Sequence, residues 1–258
     1  MKIYFAGTSG HNLSLLKKHK VNNFLISYYY SKNKWLFEKK DNVLLDSGGF
    51  TARMQGTTIG VKNYAEYINE HEVKLAVNLD TNNVQETLLN QKYLEKNTNC
   101  QILPVYHLSD YRNSEHKNLL DQYMSNYEYF CVGGMAGGRN KESSVKLFLD
   151  YVFSKTKDKC KIHGLGLTGS KFLNRYPLYS VDSTTWIDST KYGQAIGGLD
   201  KKLCIALTHR PKKKKGTKKN EQEKQNENYI LGQDIKHFIN REKYYTKLWE
   251  KRNIKWDS

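Results

Sequence analysis

Eight short β-type runs, ending in or leading straight into Gly, Asp, Ser, Thr or His, constrain this chain more than any other feature. They are Ile3–Ala6, Phe24–Ser27, Val43–Asp46, Lys74–Asp80, Gln101–His107, Tyr129–Gly133, Lys161–Gly166 and Tyr179–Asp182. Most gaps between them are long enough for a helix, and Val61–Glu70, Val84–Glu95, Glu115–Ser125 and Ser143–Lys155 carry helical spacing with polar faces. Alternating strand and helix builds a parallel sheet, either closed into a barrel or open with helices on both faces. Eight runs in 258 residues match the size at which a (β/α)8 barrel closes, about 250 residues. The open alternative expects a G-x-G-x-x-G turn after its first strand, and Gly7-Thr8-Ser9-Gly10-His11-Asn12 does not fit it. The expected fold class is α/β, a single TIM-type (β/α)8 barrel over residues 1–200.

Beyond the barrel the chain changes character. Residues 201–228 contain Lys212-Lys213-Lys214-Lys215, Lys218-Lys219 and a polar run from Glu221 to Asn228, the composition of a mobile basic loop. Residues 229–258 regain helical spacing from Asp234 to Lys251, with Ile235, Phe238, Ile239, Tyr245, Leu248 and Trp249 available to dock a final helix on the barrel. A formal charge of +16, from 42 Lys+Arg against 26 Asp+Glu, fits either a polyanionic partner or a solvated basic surface. Cys100, Cys131, Cys160 and Cys204 lie far apart with no C-x-x-C pair, which argues against a zinc ribbon and a secreted disulfide framework. The run Ile3–Ala6 is too short for a secretory signal and no membrane-spanning run follows, so a cytoplasmic location and no membrane partner are expected.

In a parallel barrel the functional groups gather at the C-terminal ends of the strands, where the following loops converge on one mouth. Here those ends carry Asp46-Ser47-Gly48-Gly49-Phe50, Asn78-Leu79-Asp80, Tyr106-His107, Gly133-Gly134-Met135-Ala136-Gly137-Gly138, His163-Gly164-Leu165-Gly166 and Asp182-Ser183-Thr184-Thr185-Trp186. One aspartate at a strand end is as well explained by capping the next helix. Three of them beside glycine-rich turns point to a polar active site.

Asp46-Ser47-Gly48-Gly49-Phe50 resembles the D-S-G-G-F segment of tRNA-guanine transglycosylases, and Gly133-Gly134-Met135-Ala136-Gly137-Gly138 is similar to their G-G-(L/M)-A-x-G segment. Asp80 falls between these segments, and Tyr179-Ser180-Val181-Asp182-Ser183-Thr184 looks like the family's final aspartate-bearing strand. The resemblance covers roughly residues 1–190. It is nearest to the short, phage-encoded DpdA-like branch, whose segments resemble Ala6-Gly7-Thr8-Ser9-Gly10, Ser27-Tyr28-Tyr29-Tyr30 and Arg175-Tyr176-Pro177.

The resemblance implies an enzyme, a glycosyltransferase that exchanges guanine in DNA for a free, preQ0-like 7-deazaguanine by double displacement at C1′. Asp182 would be the nucleophile and Asp46 the acid/base, as in a retaining glycosidase. Asp80 would accept hydrogen bonds from the guanine-like ring. Ser47, Gly48, Phe50, His107, Gly133, Gly134 and Met135 would shape the base site, with Phe50, Tyr106 and Met135 as candidates to sandwich the ring. His107 stands where the tRNA enzymes carry a glutamine. Arg53, Arg139, Lys171 and Arg175 fall in loops expected to rim the mouth, and Lys212 and Lys213 would add affinity for phosphate. The family's C-x-C-x-x-C plus His zinc site has no counterpart here, so neither metal nor cofactor is expected and the zinc subdomain is missing. A tRNA substrate, a non-catalytic nucleic-acid-binding barrel subunit and a glycosylase using water as acceptor are open alternatives, and so are monomer and homodimer.

Overall fold

The computed structural model describes residues 1–8, 10–31, 42–116, 118–135, 140–156, 159–192 and 221–256. Among them nine strands form one all-parallel sheet: β1 (Lys2–Phe5), β2 (Asn23–Ser27), β3 (Asn42–Asp46), β4 (Leu75–Val77), β5 (Gln101–Leu103), β6 (Val105–His107), β7 (Tyr129–Gly133), β8 (Lys161–Gly164) and β9 (Ser180–Ser183). Their order is β5-β4-β3-β2-β1-β9-β8-β7-β6, and helices flank them, giving a nearly closed barrel consistent with the TIM type.

The strand count of nine corrects the expected eight, and Pro104 is the reason. It has no N–H to donate to a ladder, so the run Gln101–His107 divides around it. Residues up to Leu103 pair with β4, and those from Val105 pair with β7. The Pro104 carbonyl still accepts from Cys131 N at 2.8 Å, and the Leu103 carbonyl from Asn78 N at 2.9 Å. The two edges of the sheet are thus neighbours in the chain.

Strand alternation sorts the core into two layers. Tyr4, Leu25, Leu44, Val77, Leu103, Val105, Tyr129 and Cys131 point into the barrel and pack on one another. Ile3, Phe5, Phe24, Leu45, Ala76, Ile102, Tyr106 and Phe130 point outward and pack with helix residues such as Tyr64, Ile68, Leu94, Phe148 and Val152. One further step along the inward row leads from Leu44 to Asp46, from Val105 to His107 and from Cys131 to Gly133. Pleat parity therefore aims these residues at the mouth.

The C-terminal helix runs from Glu221 to Glu250, thirty residues. This corrects the expectation of a loop through residue 228: Glu221–Asn228 is helical, its polar composition being that of an exposed first two turns. Residues 201–220, including Lys212 and Lys213, lie outside the described residues, as does the end of the expected barrel at 193–200. The helix buries Ile235, Phe238, Tyr245 and Trp249. Phe238 meets the Phe5 ring at 6.0 Å, and Glu242 accepts from Ile3 N at 2.6 Å, which fixes the helix across the start of β1. Among the described residues no helix is long and apolar enough to cross a membrane.

Candidate active site

Asp46 ends β3 and turns directly into the helix Gly49–Met54. Gly48 adopts φ 73°, a left-handed conformation that costs a residue with a Cβ. Its N–H donates to Asp46 Oδ2 at 3.0 Å. A Cβ at this position would stand 2.5 Å from Tyr29 Cβ and 2.7 Å from Ser27 Oγ, so glycine is required twice over. Burial pushes the Asp46 carboxyl up to about 7, helped by the negative charges of Asp182 and Asp80 and opposed by the Gly48 N–H.

Asp80 sits three residues past β4, on a loop held by side chains. Asn78 is buried and donates to Thr87 O at 3.0 Å, Asn90 donates to Leu79 O at 2.9 Å, and Arg53 donates to Asp80 O. The Asp80 carboxylate meets His107 Nε2 through Oδ2 at 2.8 Å. Its Oδ1 is buried with no hydrogen-bond partner among the described residues. A buried carboxylate oxygen left unpaired is costly, and an incoming N–H donor would relieve it.

His107 is fixed from both ends. Its backbone N–H donates to Asp110 Oδ2 at 3.0 Å, and its ring lies against Gly133 and Gly134. A Cβ on Gly133 would stand 3.1 Å from His107 Nδ1. The glycine pair thus makes room for this imidazole. Burial works against protonation of His107, but the hydrogen bond and charge of Asp80, with Asp110, outweigh it and raise the pKa.

Asp182 lies on β9, paired with Tyr4 of β1. Its Oδ1 takes two donors, Gly166 N at 2.8 Å and His163 Nε2 at 3.2 Å. His163 is fully buried, its Nδ1 lies 2.7 Å from Ser180 Oγ, and Ser180 Oγ lies 2.6 Å from Tyr129 OH. No hydrogen bond to Asp182 Oδ2 forms among the described residues. The Cys131 thiol, at the centre of the barrel, is raised by burial and then by the charges of Asp80, Asp182 and Asp46 together. One buried group feels all three carboxylates.

Other expected site residues divide sharply. Ser47 is buried and accepts weakly from Gly49 N at 3.4 Å, while Phe50 is 69% exposed at the mouth. Met135 is buried in the outer core. Tyr106 is no ring sandwich: odd-even alternation turns it outward, where it packs on Phe148 at 5.6 Å. Arg53 is committed to the Asp80 carbonyl and Lys171 to Glu142. Arg175 is not at the rim. It pairs with Asp150 Oδ1 at 2.9 Å, midway along the helix Glu142–Thr156, because it belongs to the descent from the helix Ser170–Leu173 to β9. Arg139 lies outside the described residues. Sequence reasoning missed the roles of Ser180 and Tyr129, whereas His163 and Gly166 stood among the strand-end residues it singled out. The signal was present, since Tyr129, His163, Ser180 and Asp182 share the inward parity of their strands.

Among the described residues no group of three or more His, Cys, Asp or Glu side chains is arranged to hold a metal ion. Compared with known families and curated proteins, the chain matches no family model and no curated protein.

Proposed function

We propose that this barrel is a base-exchange transglycosylase that replaces guanine in DNA with a 7-deazaguanine. The nine strands read as an eight-stranded barrel whose fifth strand is broken at Pro104. The observation that supports the activity is the convergence of three carboxylates in three different conditions at one mouth. Asp46 titrates at about 7, Asp182 has one oxygen held by two donors, and Asp80 has one buried oxygen without a partner.

Each condition suits one task. Asp182 Oδ2 attacks C1′ and the C1′–N9 bond breaks, while protonated Asp46 delivers its proton to the departing guanine. The N9–H of the incoming deazaguanine then returns a proton to Asp46. Its N9 attacks C1′ and the ester bond to Asp182 breaks. Two inversions retain the anomer, as in a retaining glycosidase. Asp80 Oδ1 accepts an N–H from either base while His107 immobilises Oδ2. The polymer as DNA rests on the sequence resemblance and on the net charge of +16.

The test is incorporation of a labelled 7-deazaguanine into DNA by the wild type and by Asp182→Ala. Incorporation by the wild type alone is expected, and equal labelling by both removes the assignment. Parallel reactions on tRNA decide the polymer.

A further inference from the structure

The cations that the sequence nominated for nucleic acid are already engaged where they are described, Arg53 by a carbonyl, Lys171 by Glu142 and Arg175 by Asp150. Two others differ. Lys18, closing the helix His11–Lys18, and Lys236, on the C-terminal helix, are exposed and form no ion pair among the described residues. They flank one groove of about 480 Å³ between these helices, shared with His11, Ser14, Asn228 and Gln233. None of its lining side chains is acidic.

The groove is built rather than incidental. Gly232 lets His19 lie against the C-terminal helix, since a Cβ there would stand 3.0 Å from His19 Nε2. His11 Nε2 meets Asn228 Oδ1 at 2.5 Å and ties the two helices together. Burial, then the charges of Lys236 and Lys18, lower the His19 pKa. The first helix follows β1 and starts at the mouth side of the barrel.

We infer that this groove holds the phosphodiester backbone of the nucleic acid whose base enters the mouth, with Lys18 and Lys236 neutralising phosphates and Ser14 and Gln233 donating to their oxygens. The polymer's identity rests on the function proposed above, whereas the polyanion site rests on the groove itself. Fixed positive charge on both walls sets the path of the strand, and the neutral donors set its register.

Binding of a DNA oligonucleotide is measured at several salt concentrations without any deazaguanine, so the result does not depend on base exchange. The wild type is compared with Lys18→Gln/Lys236→Gln and with Lys92→Gln/Lys96→Gln, which removes equal charge from the helix Val84–Asn97. The groove variant should flatten the slope of log K against log [salt] by about one per lysine, and the control should change it much less. Equal slopes in the wild type and groove variant, equal losses in both variants, or salt-insensitive binding by the wild type would each overturn the assignment.

Discussion

His163 Nε2 lies 3.2 Å from Asp182 Oδ1, at the end of a buried chain of hydrogen bonds that starts at Tyr129. The chain has one consistent direction. In the direction that ends on a carboxylate acceptor, the Tyr129 phenol donates to Ser180 Oγ and Ser180 donates to His163 Nδ1. Nε2 must then carry the proton that faces the carboxylate.

Ser180→Ala removes the group that sets this tautomer. Nitrogen NMR of the wild type should show His163 protonated on Nε2, and the variant should lose that preference. Base exchange should fall by as much as about 100-fold with little change in KM for DNA, because a misoriented nucleophile costs rate rather than binding. An unchanged rate together with a lost tautomer preference would show that orientation by His163 is irrelevant to the reaction.

Asp46 connects pH to both activity and stability. In the unfolded chain it titrates near 3.8, and in the fold at about 7. Between these values the folded chain keeps a proton that the unfolded chain has released. The carboxyl's contribution to stability therefore declines as pH rises from about 4 to 7 and stays lost above. Asp46→Asn should stabilise the protein relative to wild type at pH 8, by at most about 4 kcal/mol, and have little effect at pH 3.5. Urea unfolding at both pH values checks this, and a difference independent of pH contradicts it.

In the proposed reaction the first half requires Asp46 to be protonated, so guanine release should fall as pH rises through about 7. Asp182 is the largest charge raising that value, so Asp182→Asn should lower it. A carbon-detected titration of the Asp46 carboxyl can follow the shift in this inactive variant. No movement would mean that the two carboxylates do not share the mouth.

Two glycines with similar backbone angles give a contrast. Gly48 (φ 73°) has Tyr29 Cβ at 2.5 Å and Tyr29 N at 3.0 Å from an added Cβ, whereas Gly56 (φ 67°) has nothing within 4 Å. Gly48→Ala should cost about 2–4 kcal/mol of stability and Gly56→Ala about 1 kcal/mol, measured by thermal unfolding. Equal costs would show that backbone strain, not the approach of Tyr29, fixes glycine at position 48.

Gly133→Ala probes the base site. The new Cβ would stand 3.0 Å from Val105 Cγ1 and 3.1 Å from His107 Nδ1, and should drive the imidazole off Asp80 Oδ2. KM for the incoming base should rise by on the order of tenfold while far-ultraviolet circular dichroism stays unchanged. An unaltered KM would separate His107 from recognition of the base.

Much of this site was legible from periodicity. All eight expected runs carry strand, and Val61–Glu70 and Tyr129–Gly133 keep their expected bounds. Asp46, Asp80 and Asp182 were visible because a barrel sends strand ends to one mouth. What escaped depends on facts outside local pattern. Pro104 divides a strand because it has no N–H to offer, while Leu103 O and Pro104 O turn to opposite neighbours, Asn78 and Cys131. Arg175 looked like a rim residue until Asp150, 25 positions away, claimed it. Helix formation from Glu221 to Asn228 was hidden because a polar first turn has the composition of a loop. The chain from Tyr129 to Asp182 joins three strands, and no linear spacing displays it.

The central claim is a bond between Asp182 and C1′ of the target nucleotide. Mixing the wild type with guanine-containing DNA in the absence of any incoming base, quenching in acid and digesting for mass spectrometry tests it directly. The account predicts a deoxyribose ester on the peptide that contains Asp182. Guanine release without an adduct, or an adduct on another residue, would contradict it.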